Sequence, residues 1–494
     1  MTDTASPLSP LLQLPDPCLL AVMQCLTDDP ASLFSAARAH SRLQQAAVLA
    51  LSSIKVTLKT PQQYDDSLLV YLDKHGQHVN SLTVHGATTG CVSSVKLREL
   101  PTSLQLTRLQ LEGNLRVQLQ PGDCYQGVLR PGLPLKQLRL GFGFGCMLLD
   151  QEGLAAALHG LPALEHLSVR ICFKDKELVR GVLQELQQVT YLHLYYDIFR
   201  DGSRNGTFLW PLQALTRLVD LEVGGLPNPL YTSDMLSGLC SLTRLALTVD
   251  NLDPAAMAAK TQLQVLQLPC CSIAGGAAGV AQLLSRLHPL TQLTHLDLQG
   301  SLRVVEDGNP PAAAFSALTA SSKLQHLNIS FCTLPAGVWQ HLFCAGRPLP
   351  QLQSLVTDRV TMDGSNATPD SSLVSCCPGL LSLEMLHMQC SKELLGALTG
   401  LSGLTHLSFG NVEGVIESRE VLEQLCPLTG LRHLVLGARS NSQSLLLLTH
   451  LKHLTYLRTG DYNTRRLYIT VKVGYHVGTV MCAVLACLSR QVSN

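Results

Sequence analysis

Apolar residues recur along this chain in one six-residue figure, with a leucine or another apolar side chain at the first, fourth and sixth positions and mostly polar residues between them. Leu106/Leu109/Leu111, Leu135/Leu138/Leu140, Leu242/Leu245/Leu247, Leu263/Leu266/Leu268, Leu293/Leu296/Leu298 and Leu431/Leu434/Leu436 are full copies. Others end in a different apolar residue, as at Leu164/Leu167/Val169, Leu324/Leu327/Ile329 and Leu404/Leu407/Phe409. A weaker copy, Val79/Leu82/Val84, opens the series, and Leu352/Leu355 and Leu454/Leu457 lack the last apolar residue. About fifteen copies follow one another at steps of roughly 21 to 31 residues, the spacing of a solenoid built from short repeats. Side chains alternate along a strand, so the fourth and sixth residues share one face and their neighbours share the other. One repeat buries about five apolar side chains worth about 2 kcal/mol each. Ordering its ~25 residues costs about 1–2 kcal/mol apiece. No repeat is stable alone, and stacking joins the leucine faces into one core.

Between the strands the apolar period changes from two to that of a helix. Residues 177–186 carry apolar side chains at 178, 179, 182, 183 and 186, one helical face. Residues 277–287, 312–320, 392–398 and 419–425 read the same way. Strand plus helix in each repeat predicts an α/β solenoid, a horseshoe with a parallel sheet on its concave face and helices on its convex face.

Both ends depart from the pattern. Residues 11–47 predict a short helix after Pro17, with apolar positions 19, 20, 22, 23 and 26, a break at 27–30, and a second helix over about 31–50. Residues 54–58 alternate like a strand and 66–72 like its helix, so 51–78 reads as an irregular capping repeat. After Arg465 and Arg466, residues 468–473 predict a strand. The apolar stretch 477–488 is too short to cross a bilayer, which needs about 20 residues, and predicts a cap helix. The partition is therefore 1–50, a helical module; 51–78, the capping repeat; 79–460, the repeats; and 461–494, a C-terminal cap or tail.

Charge narrows the partners. Lys plus Arg equals Asp plus Glu at 36 each, and charged residues make up 15% of the chain. Nothing in that balance points to nucleic acid or a membrane surface. The 17 cysteines include no Cys-x-x-Cys, and the chain opens without a basic cap and apolar core, so reduced structural thiols in a cytoplasmic, nuclear or axonemal protein are expected. No nucleophile–base motif is present, and neither an enzyme nor a cofactor is expected.

Candidate binding residues lie on the outward face and in the long connections. The outward positions flanking the central leucines include Tyr191 and His193, and five histidines share one column, at 166, 295, 326, 406 and 433. His295 with His326, and His406 with His433, occupy neighbouring repeats, about 4.8 Å apart on a parallel sheet. A metal or pH ladder is one reading; duplication of a Leu-Thr-His-Leu unit is the other, and no carboxylate or thiol set completes a metal shell. The connection 197–210 combines Phe199, Arg200, Arg204, Phe208 and Trp210, the composition of an interface hot spot. Residues 226–231, 300–311 and 358–369 are further insertions. The glycine-rich run 141–145 lacks the Lys-Ser/Thr of a phosphate loop.

The repeat figure resembles that of leucine-rich repeat proteins. Their consensus places Asn or Cys three residues after the last apolar position, where this chain has Asn114, Cys172, Cys271 and Cys332, with Asp250 at one more. The resemblance places the three cysteines along the convex turn. Residues 11–47 resemble an F-box: Leu14-Pro15 matches its opening, Leu19, Leu20, Val22, Met23 and Leu26 its first helix, Asp29, Leu33 and Phe34 its next step, and Ala36-Ala37-Arg38 its small-residue stretch. Ser41 stands where that family usually has Trp. The resemblance implies docking of a Skp-type adaptor of a cullin–RING ubiquitin ligase through Leu14, Pro15, Leu19, Leu20, Met23, Leu33 and Phe34, with the repeats of a monomeric chain holding an unknown protein substrate. A scaffold in a cytoskeletal, axonemal or signalling assembly, its N-terminal helices only a cap, is the alternative; a small-molecule sensor is a third.

Overall fold

The computed structural model describes residues 10–26, 30–50, 52–57, 72–74, 76–85, 93–95, 104–113, 115–117, 129–142, 151–171, 183, 186–196, 210–226, 236–257, 259–303, 308, 310–344, 346–362, 369, 371–388, 390–410, 418–437, 446–461 and 466–472. The chain forms two units, the first of residues 1–203 and 207–225, the second of 204–206 and 226–494.

The first unit begins with three helices, α1 (Asp16–Cys25), α2 (Pro30–Ala39) and α3 (Ser41–Ala50). Sequence periodicity predicts one helix where α2 and α3 stand. The break falls at His40, whose Nδ1 accepts a hydrogen bond from the backbone N–H of Arg42 at 3.1 Å and so caps the first turn of α3. The Arg42 guanidinium then reaches back across the module. It donates to the carbonyls of Leu12 and Leu14 and pairs with Asp16 at 2.5 Å, fixing the entry to α1.

Strands β1 (Ser53–Thr57), β2 (Ser81–His85), β3 (Arg108–Gly113), β4 (Gln137–Phe142), β5 (His166–Ile171), β6 (Tyr191–Tyr196) and β7 (Asp220–Leu226) follow. Each pairs in parallel with the next, with leucine on leucine: Leu82 with Leu109, Leu109 with Leu138, Leu138 with Leu167, Leu167 with Leu192, and Leu192 with Leu221. β1 is a full member of this ladder, with Ile54 against Leu82. Of its expected helix, only residue 72 is described.

The second unit repeats the plan in β8 (Arg244–Val249), β9 (Val265–Gln267), β10 (His295–Asp297), β11 (His326–Asn328), β12 (Ser354–Val356), β13 (Ser382–Met385), β14 (His406–Phe409), β15 (His433–Leu436) and β16 (Tyr456–Asp461). Its parallel register carries Leu245, Leu266, Leu296, Leu327, Leu355, Leu383, Leu407, Leu434 and Leu457 in one buried row. The fold is an α/β leucine-rich repeat solenoid. A last strand, β17 (Arg466–Lys472), sits where sequence alternation places it, but it runs antiparallel to β16.

One detail explains the threonines of the Leu-Thr-x-Leu figure. The carbonyl just before each strand accepts two backbone N–H groups from the next repeat, as Gln264 accepts from Thr294 and His295. The hydroxyls of Thr107, Thr190, Thr294, Thr405 and Thr455 donate to the same carbonyl, adding a third bond per repeat. Threonine at strand entry is structural.

The connections are more varied than the periodicity predicts. Helices cover Gly276–Leu287, Lys392–Leu398 and Ser418–Leu425. Ala312–Thr319 is a 3₁₀ helix rather than an α-helix. The segments 177–182 and 477–488, expected as helices, lie outside the described residues. Among the described residues, no helix is long and apolar enough to cross a membrane.

Candidate binding surface

The outward face of each ladder gathers the side chains that flank the central leucines. In the first unit Glu112 bridges two strands: His85 Nδ1 lies 3.3 Å from one carboxylate oxygen and Arg139 Nε 3.0 Å from the other. Further along, the His166 and Tyr191 rings stack at 5.6 Å. His193 packs on Tyr195 at 4.4 Å, with Nδ1 3.3 Å from the Ser168 hydroxyl and Nε2 3.1 Å from Glu222. That last contact has ion-pair distance without hydrogen-bond alignment, so Nε2 is not satisfied by it. The Tyr195 hydroxyl donates to the same Glu222 oxygen at 3.1 Å. Tyr191 and His193 therefore belong to one patch, and Tyr195 and Glu222 join it from positions that alternation marks as outward. Phe199, Arg200, Arg204 and Phe208, expected beside them, lie outside the described residues, and Trp210 begins a short 3₁₀ helix, Trp210–Ala214.

In the second unit the histidine column forms as the spacing predicts. The His295 and His326 rings lie 5.9 Å apart, and His406, His433 and Tyr456 stack in sequence at 4.3 and 5.4 Å. Nδ1 of His295 and of His406 meets the neighbouring threonine hydroxyl at 2.9 and 2.8 Å. That hydroxyl gives its proton to the carbonyl below, so the ring nitrogen is the donor. Faces of stacked rings, rather than converging nitrogens, meet across the strands. Among the described residues, no group of three or more His, Cys, Asp or Glu is placed to hold a metal. Burial lowers the pKa of His326, with His295 adding to it; burial likewise lowers His406, aided by Arg432, and His433, aided by His406.

A second cluster sits at the turns that leave the strands, partly within the insertions 300–311 and 358–369, though sequence reading singled out none of its residues. Cys270, Gly300, Phe331 and Arg359 occupy the same place in four consecutive repeats, and all have positive φ, at 57°, 68°, 59° and 52°. The Arg359 guanidinium lies over the Phe331 ring, 5.2 Å from its centre, and donates to His387 Nε2 at 3.1 Å. His387 Nδ1 meets Asp358 at 2.8 Å, and Asp358 also accepts the His387 backbone N–H at 2.7 Å. Arg303 Nε donates to the Phe331 carbonyl at 3.1 Å. An aromatic ring under one guanidinium group, with a second on its backbone carbonyl, has hot-spot composition. Beyond those insertions, its sequence signal is Gly300, a single glycine in a column whose other members are not glycine.

The consensus Asn/Cys positions lie inside the turn, not along its surface. Cys271 and Cys332 are buried and donate S–H to the carbonyls of Leu247 and Leu298 in the preceding repeats, at 3.1 and 3.2 Å. Burial pushes the thiols up to about 12 and about 11, where they stay protonated donors. Ser301 holds the same place in the intervening repeat: its hydroxyl donates to the Leu268 carbonyl and accepts the Cys271 N–H at 2.8 Å. Cys172 and Asn114 lie outside the described residues.

In the N-terminal module, Leu19, Met23 and Leu33 are buried rather than presented, because α1 to α3 close around them. Pro15 is exposed, Leu14 and Leu20 are half-buried, and the Phe34 side chain lies outside what is described.

No known family model matches the chain, and no curated protein matches it. Among solved structures, a leucine-rich repeat protein of Leptospira interrogans is similar at 14% identity and a TM-score of 0.46, over 85% of this chain and 86% of that one. An internalin of Listeria monocytogenes matches at 16% identity and 0.38, over 69% and 85%. The ectodomain of the Arabidopsis receptor kinase HAESA, bound to a peptide hormone, matches at 14% identity and 0.35, over 78% and 69%. The solenoid assignment stands on the leucine register of the ladders themselves.

Proposed function

We propose that the chain is a non-catalytic interaction scaffold and acts as the substrate receptor of a cullin–RING ubiquitin ligase, its N-terminal helices docking a Skp-type adaptor and its repeats holding a protein substrate. One observation carries the adaptor reading. Of the six large apolar residues exposed among the described ones, three, Leu11, Val22 and Leu49, lie in the N-terminal helices. Exposed apolar groups concentrated on so small a module favour a covering partner. With Leu19, Met23 and Leu33 inside, the residues left for docking are Leu11, Leu14, Pro15, Leu20, Val22 and Leu49. The outward patches around Tyr191 and His193, and around Phe331 and Arg359, supply the aromatic and guanidinium anchors for substrate.

Burial of Leu19, Met23 and Leu33 also favours a second reading, a plain scaffold whose helices serve as a cap. Co-expression with a Skp-type adaptor separates the two. The substrate-receptor reading expects a complex, weakened by Leu14→Ala with Pro15→Ala while the far-UV spectrum is unchanged. Failure of the intact chain to bind the adaptor in an assay sensitive to micromolar affinity leaves the plain scaffold.

A further inference from the structure

The register of β5, β6 and β7 sets level rows of the positions that alternate with the leucines: His166, Tyr191 and Asp220; Ser168, His193 and Glu222; Arg170, Tyr195 and Gly224. Tyr191, His193 and Tyr195 fill the middle strand, and Asp220 and Glu222 line its β7 side, about 7 Å apart. Tyr195 is 44% exposed, one of the few large side chains of its kind left open to solvent. Its ring is nonetheless fixed. The hydroxyl is held by Glu222 at 3.1 Å, and the His193 ring packs against it at 4.4 Å. Gly224 closes another side, where a Cβ would stand 2.8 Å from the ring. Among the described residues, His166 Nδ1 and His193 Nε2 are buried without a hydrogen-bond partner, so the patch holds polar groups its own packing does not satisfy.

A fixed, open ring with a carboxylate at its edge suits a flat cation. A guanidinium stacks on a tyrosine face and offers N–H donors in a planar fork that matches a carboxylate. The Tyr195 hydroxyl and His193 both meet Oε1 of Glu222, and a carboxylate accepts on both of its oxygens. Of the cations in register with these rows, Arg139 is held by Glu112 at 3.0 Å, and Arg170 stands level with Tyr195 on the strand away from Glu222. We propose that this face binds an arginine side chain of a protein partner, its guanidinium on the open side of Tyr195 and its N–H groups on the Glu222 carboxylate. Asp220 stands one strand period away, so a second basic residue two along an extended segment reaches it. The proposal rests on the reading of the repeats as a substrate-holding surface and names the chemistry that surface selects, a basic segment.

The probes are a fluorescein-labelled Gly-Arg-Gly-Arg-Gly peptide and its citrulline and lysine counterparts, titrated with the purified full chain without adaptor and read by fluorescence anisotropy. The arginine peptide should bind at least about tenfold more tightly than the citrulline peptide, which keeps the shape and loses the charge. It should also bind more tightly than the lysine peptide, which keeps the charge and loses the plane. Glu222→Gln and Tyr195→Leu should each weaken it at least about fivefold. Gly224→Ala, which pushes the ring aside and alters no charge, should weaken it too while the melting curve stays in place. Because the adaptor takes no part, a failure here leaves adaptor docking standing, and a failure of adaptor docking leaves this result standing. An affinity for the arginine peptide no greater than for the citrulline peptide, or one unchanged in both Glu222→Gln and Tyr195→Leu, overturns the proposal.

Discussion

At the scale of single residues, the turns leaving β9 to β12 hold three side chains at backbone angles that favour glycine. Cys270, Phe331 and Arg359 all have positive φ, while Gly300 meets the same requirement without a Cβ. The left-handed region costs an L-residue about 1–2 kcal/mol. Cys270→Gly should therefore raise stability by about 1 kcal/mol, read as a higher urea midpoint with an unchanged slope. Cys270→Ala, which keeps the Cβ, should stay within about 0.5 kcal/mol of the parent. Phe331 and Arg359 carry the same strain, and they are the two residues that form the cation–π contact. This column was not legible in the sequence, because three of its four members give no glycine signal. Ser301 escaped for a similar reason: it does the work of the consensus Asn or Cys with a different donor. The histidines titrate in a direction that can be checked. His326, His406 and His433 bind protons less readily folded than unfolded, so the stability present at neutral pH is lost as pH falls through the unfolded-state value near about 6.5. It levels off below the lower folded values. The urea midpoint should fall on acidification across that window, and His406→Asn with His433→Asn should flatten the fall.

At the scale of the element, what was legible is what the strand period dictates. Alternation alone marks Leu296 as inward and His295 and Asp297 as outward, and β10 pairs in that register on both sides. Leu296→Asp places an unpartnered charge in the fully buried row at a cost of several kcal/mol. Hydrogen exchange should speed up in β9 and β11 as well as β10, since each strand's stability is shared with its neighbours. Exchange confined to β10 would contradict that sharing. Helix periods were less informative. The apolar pattern of 312–320 is satisfied by a 3₁₀ turn, and the break between α2 and α3 depends on a histidine cap, a residue type with no strong capping preference.

At the scale of the whole molecule, repeats tolerate loss at an end better than loss in the middle, because each contacts only its neighbours. β1 carries the ladder register up to the N-terminal helices. Removing residues 1–50 should then leave the strands folded, with far-UV signal and protease resistance retained while adaptor binding is lost. A collapse of the ladder on that deletion would make α1 to α3 a structural cap. The far end of the ladder behaves differently. β17 runs against the direction of the other strands of its own unit's ladder and occupies the free backbone groups of β16. A second copy of the chain, offering its β1 in parallel to extend the sheet, finds that template already filled. Head-to-tail addition in parallel register, the route by which identical solenoids become filaments, meets there seven residues of reversed chain, from Arg466 to Lys472.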